Sequence, residues 1–235
     1  MNLDFEPLFF SITWHALSYE CKNLDIPPLR LANYLRRKGK DVLLHITCTN
    51  MRKDYLKDLL QMLQEKGICN LFIILGENFN PNRSDFTSTQ ELVKYIRQCT
   101  GLYFCIGVAG FPDNEDKMLH LKQKTDSGVD FIITQAFFDY NVYSNFLAKC
   151  KEMEINVPII PGIFPFETSK DLEGFINLCK IHITKNLTVT KSGSEIVENI
   201  LMDLITKANA KHFHFFTLNK LDRTATLVER VKSLF

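Results

Sequence analysis

The stretch "VDFIITQAFFD", Val129 to Asp139, decides how the rest of the chain is read. Phe131, Ile132, Ile133 and Thr134 form a short run with no polar alternation, the pattern of a strand covered on both faces, as in a parallel sheet flanked by helices. Gln135 then follows, ahead of two phenylalanines and an acid. A buried carboxamide without partners costs roughly 1 to 3 kcal/mol, so Gln135 must be given some. At a strand end, either a neighbouring loop or a ligand supplies them.

Six further runs of the same kind lie on either side: "LFFSITW" (8 to 14), "VLLHIT" (42 to 47), "NLFIIL" (70 to 75), "YFCIGV" (103 to 108), "VPIIPGI" (157 to 163) and "HFHFFT" (212 to 217). The first six strands recur about every 30 residues, the length of one βα unit. Segments of helical period fill the gaps. In "MRKDYLKDLLQMLQEKG", Leu56, Leu59, Leu60 and Leu63 share a face and Gly67 stops the helix. "NVYSNFLAKCKEMEI" and "GSEIVENILMDLITKANA" have the same character. A doubly wound sheet and a TIM-type (β/α)8 barrel both fit this alternation. A doubly wound dinucleotide fold would show G-x-G-x-x-G after an early strand, and the chain has none. The expectation is therefore an α/β barrel with seven of eight strands visible and the first βα unit missing, residues 1–235 forming one N-terminally incomplete domain with no regulatory domain.

The bulk composition excludes several function classes. The 235 residues are 46% apolar and 23% charged, with a net charge of +1, so no overall field gathers nucleic acid or an anionic membrane. The N-terminus carries acids where a secretory signal needs a basic start, and no apolar run approaches the roughly 20 residues of a membrane span, which points to the cytoplasm. The seven cysteines include no CxxC pair and read as reduced thiols, mostly small core hydrophobes, with Cys48 set apart by its surrounding motif. Assembly into a homo-oligomer is left open.

Barrel enzymes carry their reactive groups at the C-terminal ends of the strands. That rule selects Thr13 with Trp14 and His15, His45 to Asn50, Gly76 with Glu77, Ala109 to Phe111, Gln135, Gly162 with Phe164, and Thr217 to Lys220. His45, Thr47, Thr49 and Asn50 are suited to a ligand's hydroxyls or phosphate, or to capping the next helix, a task for Thr49 or Asn50. His45 has no second metal ligand at a suitable spacing. Glu77 is a candidate base or charge stabiliser, with Gly76 allowing close backbone approach. Ala109 and Gly110 before Phe111 permit a flat ring to lie against backbone. Gln135, which both donates and accepts, matches a heterocycle with an amine beside a ring nitrogen.

Together, "HITCTNM" (45 to 51), "GICNLFIILGEN" (67 to 78), "DSGVDFIITQAFFD" (126 to 139), "VPIIPGIFP" (157 to 165) and "HFHFFTLNK" (212 to 220) resemble the methylenetetrahydrofolate reductase family, in the family's order. The resemblance implies a barrel that holds FAD, accepts hydride from NADPH or NADH, and reduces 5,10-methylenetetrahydrofolate to 5-methyltetrahydrofolate. It implies catalytic roles for Glu77 and Gln135, the latter also binding the pterin of the folate substrate. Thr13, His45, Thr47, Ala109, Phe111 and Lys124 fall on flavin-contacting positions, and Lys220 falls on a substrate-binding cation. The chain departs from the family pattern at several points. Glu6 lies ahead of the second strand, not in the family's first. Leu75-Gly76-Glu77 stands for Arg-Gly-Asp, "DNEDK" (113 to 117) replaces a His-Pro-Glu-Ala stretch and puts Lys117 where an acid is expected, and "KIHITKNLTVTKSGSE" (180 to 195) is shortened. The rival reading is a catalytically impaired member that binds flavin or folate weakly or acts only through a partner.

Overall fold

The computed structural model describes residues 5–15, 18, 23–181 and 192–232. Cys21 and most of the shortened stretch 180–195 lie outside the described residues. The chain divides into two compact units, one of residues 5–109 with 121–131, the other of residues 110–120 with 132–232.

In the first unit, β1 (Phe10–Ile12), β2 (Val42–Thr47), β3 (Asn70–Ile74) and β4 (Cys105–Gly110, with Gly110 counted in the second unit) alternate with α1 (Pro27–Arg37), α2 (Lys53–Glu65) and α3 (Thr89–Thr100), and α4 (Met118–Thr125) has its residues from 121 onward in this unit. The strands pair in parallel and in chain order, with Phe10 opposite Val42, His45 opposite Phe72 and Ile73 opposite Val108. The continuous apolar runs are explained by their burial: Leu43, Leu44, Ile46, Leu71, Ile73, Ile106 and Val108 are all 2% exposed or less. Leu56, Leu59, Leu60 and Leu63 of α2 are equally enclosed, each worth about 1.5 to 3 kcal/mol of apolar burial. Gly67, at φ +66°, ends that helix in the left-handed region.

Two local expectations change here. Neither Thr49 nor Asn50 caps α2, which begins later, after Arg52. Its first free amide, the Lys53 N–H, is taken at 2.9 Å by Asp85 Oδ2, and Arg52 pairs with the other carboxylate oxygen at 2.7 Å. These two hydrogen bonds hold the Asp85 carboxyl below its ordinary range. The fourth strand begins and ends two residues later than the run "YFCIGV" indicates, so Ala109 and Gly110 belong to it. Tyr103 remains outside, its hydroxyl donating to the Gln64 carbonyl.

In the second unit, β5 (Phe131–Thr134, with Phe131 counted in the first unit) is followed by α5 (Tyr140–Glu152), β6 (Ile159–Ile160), β7 (Gly162–Ile163), α6 (Ser169–Cys179), α7 (Gly193–Ala208), β8 (His214–Phe215) and α8 (Leu221–Val231). The run "VPIIPGI", expected as one strand, is two. Ile159 and Ile160 pair with Ile132 and Ile133, whereas Gly162 and Ile163 pair with His214 and Phe215. Pro161 is the physical cause, because it has no N–H to continue a ladder. Its carbonyl instead accepts the His214 N–H, and the next amide, Gly162 N–H, donates to Thr134 Oγ1 at 2.9 Å. The core of this unit is aromatic: Phe164 stacks on Phe175 with centroids 3.8 Å apart, beside Phe137, Tyr143, Phe166, Leu201 and Leu204. Among the described residues no helix is long and apolar enough to cross a membrane.

His214 lies in this core, 8% exposed, and burial pulls its imidazole from 6.5 down to about 4. The folded value is the lower one, so on acidification the unfolded chain takes up the proton first. The stability contributed by neutral His214 is whole above pH 6.5 and is lost as pH falls toward 4. At 1.4 kcal/mol per pH unit the loss reaches about 2 kcal/mol at pH 5. Urea unfolding at pH 7 and pH 5 should show that decrease, and His214→Gln should narrow the gap between the two pH values.

Candidate functional site

Within the first unit, the ends of β2 and β3 are stitched together. Cys48 and Thr49 donate their N–H groups to the Ile74 and Leu75 carbonyls, and Thr49 Oγ1 lies 3.0 Å from Leu75 O and 3.3 Å from Glu77 O. Gly76 sits at φ +91°, and a Cβ there would come within 2.6 Å of Thr49 Oγ1 and 3.0 Å of Thr47 Cβ. Glycine is required by both the conformation and the space. The loop thereby fixes the backbone of Glu77 while its side chain stays exposed.

Thr47 and His45 are engaged inside the protein. Thr47, 1% exposed, donates to Thr49 O. His45 lies inside β2, not beyond its end; its Nε2 is 2.8 Å from Ser11 Oγ and its ring tilts against Phe72. Thr13 follows β1 and is exposed. Lys124, 9% exposed, sends its ammonium 2.6 Å to the carbonyl of Ala109. The structure therefore brings Thr47 and Thr49 together with Gly76, Thr49 with the Glu77 backbone, and Lys124 with Ala109. Cys48 is fully buried and its thiol is pushed up to about 12 by burial, so it is a core residue and no nucleophile. Among the described residues no group of three or more His, Cys, Asp or Glu is arranged to hold a metal ion.

Within the second unit, the Gln135 N–H donates to the Gly110 carbonyl at 2.7 Å, which sets the glutamine beside the residue preceding Phe111. The amide oxygen of Gln135 accepts the Ala136 N–H at 3.0 Å. Its amide NH2 hydrogens make no hydrogen bond among the described residues, and the residue is half-buried. Lys117 lies 3.7 Å from the centroid of the Phe111 ring, a cation–π contact that covers one face of it.

Lys220 opens α8 and meets Asp171 of α6 at 3.5 Å, and Arg223 meets the same carboxylate oxygen at 2.9 Å. Hydrogen bonding to Arg223, aided by Thr168, holds the Asp171 carboxyl well below the usual carboxylate range. Sequence reasoning selected Lys220 but missed Asp171 and Arg223. The spacing Thr168-x-x-Asp171 marks a capping box, and that box is present. Nothing local links it to a cation some fifty positions further along.

A family model described as "Methylenetetrahydrofolate reductase" matches residues 2–232. The protein named "Methylenetetrahydrofolate reductase 2" of Saccharomyces cerevisiae is 32% identical over 256 aligned positions, covering 97% of this chain and 42% of the yeast protein. The "5,10-methylenetetrahydrofolate reductase" of Buchnera aphidicola is 30% identical over 92% of this chain and 79% of its own length. The chain thus spans less than half of the yeast relative but most of the bacterial one. Among solved structures, an uncharacterized protein from Clostridium thermocellum, described as binding two copies of 5-methyl-5,6,7,8-tetrahydrofolic acid, superposes with a TM-score of 0.66 over 89% of this chain and 79% of its own, at 18% identity. That likeness establishes a common α/β fold.

Proposed function

The chain belongs to the methylenetetrahydrofolate reductase family, and from that premise we propose that it reduces 5,10-methylenetetrahydrofolate to 5-methyltetrahydrofolate, with FAD as cofactor and NADPH or NADH as electron donor. The observation that carries the reading is Gln135, a glutamine at the end of an apolar strand whose main-chain N–H is bonded to Gly110 and whose amine hydrogens are unspent. A carboxamide in that state suits the edge of a pterin, which offers a carbonyl and a ring nitrogen as acceptors. In the same reading, residues 1–235 belong to one barrel-type catalytic domain. The folate ligand of the Clostridium thermocellum protein supports a folate-sized guest for this fold.

The residues present fit a flavin in part. Thr13 and Glu77 are exposed at or beyond strand ends, and Phe111 keeps a half-buried ring. Gly76 makes room for Thr49, which holds the Glu77 backbone. His45, Thr47 and Lys124 would act at one remove, shaping the wall through Ser11, Thr49 and Ala109. When bound, the flavin supplies the hydride-transfer chemistry, and the protein supplies placement and charge. Glu77 would lend a negative charge that favours the cationic iminium form of methylenetetrahydrofolate, the form that accepts hydride. Gln135 would orient the pterin, and Lys220 would attract the substrate's carboxylates.

The test is the visible spectrum of the purified chain after incubation with FAD. The flavin band should be retained through gel filtration, bleach on adding NADPH or NADH, and recover on adding methylenetetrahydrofolate. A colourless protein that cannot be reconstituted would sink the reading.

A further inference from the structure

Lys220 stands at a place that a lysine would not be given for stability. It is the residue that opens α8, where the positive end of the helix dipole disfavours a cation. The loop that delivers it is strained, with Leu218 at φ +46° and Asn219 at φ +62°, two successive non-glycine residues in the left-handed region. Each costs on the order of 1 kcal/mol. Short contacts keep the loop in that shape: Asn219 N–H meets Thr217 Oγ1 at 3.3 Å and Lys220 N–H meets Thr217 O at 2.8 Å.

The carboxylate beneath Lys220 is already fully used. Asp171 Oδ2 accepts both the N–H and the hydroxyl of Thr168, closing the capping box of α6. Oδ1 takes the Arg223 guanidinium at 2.9 Å and Lys220 only at 3.5 Å. Arg223 therefore offsets the acid, and Lys220 is tethered without being neutralised. The Lys220 side chain remains 57% exposed, against 15% for Asp171 and 24% for Arg223. The three residues form a half-buried carboxylate, a half-buried guanidinium and one exposed ammonium in excess, held to the carboxylate at one oxygen.

We infer that Asp171 is a positioning residue: anchored by Thr168 and Arg223, it holds the Lys220 ammonium where the glutamate carboxylate of a folate can reach it. This rests on the folate reading above and adds to it the residue that aims the cation. The consequence is selectivity for the glutamate-bearing part of the ligand and not for the pterin.

The experiment is calorimetric titration of the FAD-incubated chain with 5-methyltetrahydrofolate and with 5-methyltetrahydropteroate, which lacks the glutamate. Asp171→Asn should weaken the first by about fivefold to tenfold and the second by less than about twofold, the scale of one charge-assisted contact. Lys220→Met, an exposed change that leaves the capping box intact, should give the same pattern. Combining the two should add no further loss, because both remove one interaction. Asp171→Glu, which keeps the charge, should restore most of the affinity. Equal weakening of both ligands, unchanged binding in Asp171→Asn, or losses that multiply in the double variant would each overturn the assignment while leaving the folate reading in place. A parent chain that binds neither ligand would overturn both.

Discussion

Gly162→Ala is expected to destabilise the chain by about 3 kcal/mol, the upper part of the range for overpacking a closed site. A methyl group at this position would lie 2.2 Å from the Thr134 carbonyl oxygen and 2.6 Å from the Phe216 ring. A side-chain ring can turn aside, but the carbonyl belongs to the strand backbone and has nowhere to go. Gly162 is also where the chain passes from pairing with β5 to pairing with β8, with its own N–H held by Thr134 Oγ1. Pushing Thr134 away disturbs the residue directly before Gln135, so ligand affinity should fall together with stability. Urea unfolding measures the first effect and titration with 5-methyltetrahydrofolate the second. Alanine at Gly174, a helical position with nothing within 4 Å of the added carbon, is the control and should be neutral or slightly stabilising. A Gly162→Ala chain as stable as the parent would mean that β7 has freedom the packing denies it.

Much of this was legible in the sequence because it depends on neighbours in the chain. A strand covered on both faces needs apolar residues at consecutive positions, and "VLLHIT" and "FIIT" match β2 and β5 to within a residue. The leucine face of α2 follows equally from its period. What escaped depends on partners far away in sequence. Pro161 could be seen to interrupt a ladder, but that the chain resumes against β8 and not β5 is decided by Thr134 and His214. The cap of α2 comes from Asp85, 32 positions beyond the amide it accepts. The site shows the same division. Gln135 and Glu77 could be selected as candidates because they follow β5 and β3, whereas Asp171 and Arg223 meet only once α6 and α8 have packed. Strand ends also said nothing about which polar atoms remain open: Thr47, His45 and Lys124 all proved to be bonded within the protein.

That distinction gives Gln135→Glu its expected result, a loss of about 100-fold in the folate-dependent step, or about 3 kcal/mol, with flavin reduction by NADPH or NADH changed less than about threefold. The substitution keeps the shape and keeps an oxygen for the Ala136 N–H, so the local fold should survive. It removes the amine hydrogens, which are the part of Gln135 left for a ligand, and puts a negative charge against the pterin's acceptor edge. Unfilled or repelled polar groups at a half-buried site are costly, which is why a single-atom change in a donor can outweigh many apolar contacts. Stopped-flow measurement of the two half-reactions separates the possibilities. A selective loss in the folate half places the glutamine at the pterin. Equal losses in both halves would mean that the carboxylate disturbs the flavin instead, and Gln135 would then be a residue that shapes the cofactor's environment with no direct part in holding the substrate.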